Sequence, residues 1–130
     1  MAANPADGMA ELARGEALLW LARLPAAEAA LRRAVELMPG SGLAEARLAS
    51  VLIELKRPAD ALEAARRASA KDENHGEVAA TLALALIAVD PAKNWSEAIA
   101  QAQTAATTLD PENAFVHLAV GRVFEAGGRF

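Results

Sequence analysis

The sequence predicts an all-α fold, an α-solenoid made by stacking antiparallel helix pairs, and three observations carry that expectation. A pattern of alanines recurs at a spacing of about 34 residues, the mark of a repeat whose units are a helix, a turn and a helix. Apolar residues make up 54% of the 130-residue chain but aromatics only 4%, so the core must be assembled from closely packed Ala, Leu, Val and Ile, a composition that favours helices. Pro, Gly, Ser, Asp and Asn cluster between the apolar stretches, where they stop one helix and cap the next.

Three first helices are expected at about 8–21, 42–55 and 76–89, each with apolar residues at helical spacing. The second helices align by their alanines: Ala27 and Ala61 are 34 residues apart, as are Ala34 and Ala68. In the third copy Ala98 and Ala105 are again seven apart, but Ala98 follows Ala61 by 37, which places a three-residue insertion within 90–94. The insertion is expected in a turn, where added length costs little. Asn94 with Glu97 three residues later has the spacing of a helix-starting cap, which predicts Trp95 at the entry of that helix. Met38-Pro39-Gly40-Ser41 and Leu109-Asp110-Pro111-Glu112-Asn113 separate the units, and a last helix is expected at 114–127. The units are thus 8–41, 42–75, 76–113 and a partial 114–130, after a flexible segment 1–7. An end unit without a polar cap, and the stop at Phe130, lead to the expectation that the sequence is a fragment of a longer protein.

Alanine at a helix crossing lets two backbones approach to about 8–10 Å. Ala27, Ala61 and Ala98 are assigned to such crossings. Alanine is also simply a good helix former, but propensity does not explain a repeat-length period.

These positions resemble the tetratricopeptide repeat. Gly15, Leu18, Leu24, Ala27, Leu31, Ala34, Val35, Leu37 and Pro39 fall on its pattern in the first unit, and Leu48, Ala49, Leu52, Ala61, Leu62, Ala65 and Ala68 in the second. Leu82, Ala83, Leu86, Trp95, Ala98, Ile99, Ala102 and Ala105 do so in the third, and Val120-Gly121-Arg122-Val123-Phe124-Glu125-Ala126-Gly127-Gly128-Arg129-Phe130 opens a fourth. The chain departs from the pattern in having no tyrosine, in Asp72-Glu73 where Asp-Pro is usual, and in one extra residue before Asp110-Pro111. The resemblance implies a right-handed α-solenoid of about three units plus the first helix of a fourth.

It also implies a concave groove lined by the first helix of each unit and holding a peptide. The residues carried over are Met9, Leu12, Glu16, Leu19 and Trp20; Leu43, Ala46, Arg47, Ser50, Ile53 and Glu54; Glu77, Ala80, Thr81, Leu84 and Ile87; and Phe115, Leu118 and Arg122. This surface is mostly apolar. Relatives that clamp a terminal carboxylate do so with Lys, Arg and Asn, whereas Leu12, Glu16, Ser50 and Leu84 stand in those places, so such a clamp is not expected. Arg47, Glu54, Glu77 and Arg122 would set the register of a peptide held by apolar anchors. Two readings of Trp20 stand, an interface anchor and a core residue, and any groove residue could instead fill the space between helices.

No catalytic constellation, cofactor motif or metal site is expected. His75 and His117 lie in different units, and Asp72, Glu73 and His75 read as a solvated turn. Thirteen Lys and Arg against 17 Asp and Glu give a net charge of −4, which argues against a nucleic-acid binder. Arg32-Arg33 and Arg66-Arg67 mark exposed faces, with a basic stripe for an acidic partner as the counter-reading. No run approaches the roughly 18 apolar residues of a membrane span, and the first eight residues lack the regions of a signal peptide. A cytoplasmic location is expected, with a signal or anchor elsewhere in a longer protein left open. The Ala- and Arg-rich composition points to a bacterial source. The expected role is a scaffold for a protein or peptide partner; the alternative is a spacer, or a homodimerisation module working through the uncapped last helix, beside a catalytic domain outside this chain.

Overall fold

The computed structural model describes residues 5–127. Within them lie α1 (Pro5–Trp20), α2 (Leu24–Leu37), α3 (Gly42–Glu54), α4 (Pro58–Lys71), α5 (Gly76–Val89), α6 (Pro91–Thr104) and α7 (Ala114–Gly127), with a π-helical segment, Ala105–Leu109, continuing α6. Among the described residues there is no strand. The helix begins at Pro5, so the flexible segment expected to Asp7 is corrected for residues 5–7, and residues 1–4 lie outside the description, as does Phe130.

Each helix packs on its neighbours in the stack. α1 pairs with α2, α3 with α4 and α5 with α6, while α1, α3, α5 and α7 also pack side by side. The second helices α2, α4 and α6 do not pack on one another and are linked instead by long surface ion pairs, Arg57–Glu28 at 3.0 Å and Arg66–Glu97 at 2.9 Å. First helices close together and second helices splayed apart make a curved stack, concave on the side of α1, α3, α5 and α7.

The alanines sit where close approach requires them. Ala27, Ala34, Ala61, Ala68, Ala98 and Ala105 are fully buried, and around them Leu31, Leu48, Leu52, Leu82 and Leu86 form the core. Glycine also keeps the period. Gly42 and Gly76 open α3 and α5, and Gly8 lies in the first turn of α1, each against the end of the partner helix: a Cβ on Gly42 would fall 2.5 Å from Asp72 Cβ, and one on Gly76 2.4 Å from Asp110 Cβ. Only a missing side chain allows the pair to close there.

Caps follow the boundaries read from sequence at two places. Ser41 Oγ accepts from Ala44 N at 3.1 Å to start α3, and Asn113 Oδ1 accepts from Val116 N at 3.2 Å to start α7. The third unit differs. Asp90, not Asn94, caps α6, its Oδ1 accepting from Lys93 N at 3.2 Å with Pro91 at the first helical position. Asn94 instead donates to the Leu86 carbonyl at 3.1 Å, and Trp95 lies a full turn inside the helix rather than at its entry. The insertion therefore lengthens α6 instead of enlarging a turn. The further extra residue before Asp110 is taken up in the π-helical segment, where Asp110 N donates to the Ala105 carbonyl at 2.8 Å, five residues back.

Candidate functional site

The first helices present a groove of about 1050 Å³ whose lining comes from α1, α3, α5, α7 and the start of α6. Glu16, Leu19, Trp20, Arg47, Ser50, Ile53, Glu54, Glu77, Leu84, Ile87, Phe115, Leu118 and Arg122, all singled out from sequence, line it. Four others do not. Leu12 and Thr81 are buried, Leu12 in the core and Thr81 with its hydroxyl turned onto the Glu77 carbonyl at 2.8 Å. Leu43 packs against the core, and Met9 is exposed outside the groove. Ala46 and Ala80 are likewise buried between helices. For the buried residues the cause is common: a helix turned toward a concave face also packs sideways on its neighbours, and helical spacing alone does not separate those directions.

Trp20 is the clearest outcome. It is 89% exposed at the lip of the groove, which removes the core reading. The second tryptophan does the structural work. Trp95 Nε1 donates to the Val123 carbonyl at 2.8 Å, and its ring meets Phe124 edge-on at 6.4 Å, fastening α7 to α6.

A polar ladder crosses the groove. Arg47 donates to Glu16 at 2.7 Å and to Glu77 at 2.8 Å, and Asn113 continues it to Glu77 at 3.2 Å and Asp110 at 2.8 Å. It ties α1, α3 and α5 to the cap of α7. Burial by itself would weaken the charge on Arg47, but the two carboxylates outweigh it and hold the guanidinium above its ordinary pKa. For Glu77, burial pushes upward, yet the Arg47 hydrogen bond and charge, with Asn113, leave the carboxyl below its ordinary value. Arg47 and Glu77, expected to set a peptide's register, are thus already engaged with each other and with Glu16 and Asn113 within the chain.

Sequence reasoning missed Ala88, Asp90, Pro91, Ala92, Glu125 and Ala126, which complete the lining. Asp90-Pro91 has the same cap-then-proline signature as a helix start, and reading it so would have placed 90–92 on a wall rather than in a loose turn. The arginine pairs are neutralised rather than gathered into a basic stripe: Arg32 pairs with Glu28 at 2.8 Å, and Arg67 with Glu45 at 3.3 Å. Among the described residues no three His, Cys, Asp or Glu come together as metal ligands, and no helix is long and apolar enough to cross a membrane.

Comparison with solved structures places the architecture. The first TPR domain of human RPAP3 is 16% identical and superposes with a TM-score of 0.80 over 96% of this chain and 95% of its own. The first TPR of Spaghetti (RPAP3), bound to the HSP90 peptide SRMEEVD, is 15% identical with a TM-score of 0.79 over 98% of each chain. The TPR2B domain of yeast Sti1, in a complex with pHsp70, is 18% identical with a TM-score of 0.75 over 92% of this chain and 98% of its own. No curated protein is significantly similar in sequence. A tetratricopeptide-repeat profile matches residues 22–87, half of the chain, and with the helix pairs, alanine crossings and turns described above the chain belongs to the tetratricopeptide repeat family.

Proposed function

We propose that this chain is a protein-interaction scaffold that takes a polypeptide segment of its partner in the groove between α1 and α7. The observation that carries the reading is the groove itself: about 1050 Å³, lined by four parallel helices, with Leu19, Trp20, Ile53, Ile87, Phe115 and Leu118 offered as apolar contacts. A concave surface with these apolar side chains along it suits a segment with apolar side chains as anchors. The Spaghetti domain holds an HSP90 peptide on a similar fold. Catalysis is not part of the proposal, since the lining offers no nucleophile paired with a base.

Trp20 is the anchor on which the reading turns, because a wide amphipathic ring standing exposed at a groove lip gains most when a partner covers it. Peptides selected by display against the full chain should bind the wild type and lose about tenfold or more affinity to Trp20→Ala. Full affinity retained by both Trp20→Ala and Leu118→Asp would refute binding in this groove.

A further inference from the structure

Inside the stack each first helix packs on the next, α1 on α3, α3 on α5 and α5 on α7. In two of these contacts the buried clusters identify the residues. Ala46 of α3 and Val78 of α5 pack together with Ala68 of α4, and Ala80 and Leu84 of α5 pack with Val116 and Ala119 of α7 and with Ala105. Ala46 and Ala80 hold the same place, four residues after Gly42 and Gly76, while Val78 and Val116 lie two residues after Gly76 and Ala114. A small side chain on one helix thus meets a larger one on the helix that follows.

At the two ends of the stack the same places are exposed, and the sizes are exchanged. On α7 the place of Ala46 and Ala80, four residues after Ala114, holds Leu118, which is 53% exposed. On α1 the places of Val116 and Ala119, two and five residues after Gly8, hold Ala10 and Ala13, both exposed. Ala6, Met9, Ala10, Ala13, Ala17 and Trp20 form one exposed face along the length of α1, and no charged residue interrupts it. The charges that border this face, Arg14 and Glu16, are paired with Glu11 and Arg47. A protruding leucine on the last helix and small residues on the first are unlike surfaces that fit each other.

We infer that the chain associates head to tail with further copies of itself, α7 of one copy against α1 of the next, with Leu118 resting on Ala10 and Ala13 of that next copy. The junction continues the contact that already joins α3 to α5 and α5 to α7, and exchanging the large and small residues keeps the space between the helices filled. It goes beyond the groove reading and does not depend on it. Because the two surfaces differ, the contact is heterologous and does not close on itself. A helix face about 24 Å long covers less than the roughly 800 Å² per partner of a stable interface, so the association is weak and grows with concentration.

The test is sedimentation of the full chain from about 10 μM to about 1 mM, as wild type, Ala10→Glu, Ala13→Glu and Leu118→Asp. The three positions are exposed, so the variants should melt as the wild type does. The wild-type mean mass should rise with concentration from that of one 13.5 kDa chain without levelling at two, and each variant alone should stay a monomer. An equal mixture of Ala10→Glu with Leu118→Asp should associate again but stop at two chains, since the intact α7 of the first meets the intact α1 of the second. A wild type that stays monomeric throughout, a dimer that saturates at two chains, or a mixture no heavier than its components would overturn the head-to-tail contact.

Discussion

The α3–α4 and α5–α6 pairs share one packing scheme, with Ala61 and Ala98 equally buried at the crossing, yet they join their helices in opposite ways. Between α3 and α4 lie Leu55, Lys56 and Arg57, and Lys56 adopts a left-handed conformation with φ of 62°. Ala22, the same distance back in the first unit, does likewise with φ of 58°. Between α5 and α6 there is only Asp90, extended at φ −158° and serving as the end of one helix and the cap of the next. α6 then starts seven residues ahead of Ala98, whereas α4 starts three ahead of Ala61. Extra residues added upstream of a crossing leave its register untouched if they are helical, and here they extend α6 outward until Pro91 and Ala92 reach the groove. What looks like slack in a repeat is a piece of wall.

The largest effects should come at the crossings. Ala61→Leu and Ala98→Leu should each cost roughly 1–3 kcal/mol by overpacking, read as a drop in thermal midpoint. If Ala98→Leu proved neutral while Ala61→Leu did not, the longer α6 would be packing more loosely than its equivalent, and the likeness of the two pairs would break there. The turns should then respond with opposite signs. Lys56→Gly relieves a left-handed residue and should stabilise by about 0.5–1 kcal/mol, while Asp90→Ala removes a cap and should cost about 0.5–2 kcal/mol. Equal signs from denaturant melts of the two variants would show that the turns are not the distinct devices their geometry makes them.

The smallest expected effect concerns the ladder that joins these two pairs. Glu77 titrates lower in the folded chain than its ordinary value, burial working against the Arg47 contact and losing to it. Its contribution is therefore complete above the unfolded carboxylate value of about 4.3 and is lost as pH falls through the lower folded value. Denaturant midpoints should fall between pH 6 and pH 3, and Arg47→Met should flatten that part of the decline. An unchanged acid limb in Arg47→Met would assign the loss to other carboxylates.

How much of this was legible depended on how locally each feature is determined. The helices at 42–54 and 76–89 were, because apolar spacing and flanking Gly, Ser or Asp are all short-range signals. Leu12 and Thr81 were misplaced because both lie on helices that face the groove and also pack sideways, and only the neighbour decides which side chain is covered. Arg47 looked like a partner-facing charge for the same reason: Glu16 and Glu77 stand about 30 residues away on either side, beyond any local pattern. The cap at Asp90 carries a short-range signal, Asp followed by Pro, but Asn94 with Glu97 three residues later offers a competing one of equal range.

The sequence by itself determined the repeat. Ala27 and Ala61 at the crossings, 34 residues apart, with Ala98 following after the insertion, and Gly8, Gly42 and Gly76 at the same 34-residue spacing encode the helix pairs, since each small residue answers a contact made within its own unit. The tertiary structure alone decided which charges cancel, where the inserted residues go, and that Trp20 stands in solvent while Trp95 is fastened to α7. Those outcomes depend on contacts between units, and the distance from one unit to the next is set by the whole stack rather than by any segment of it.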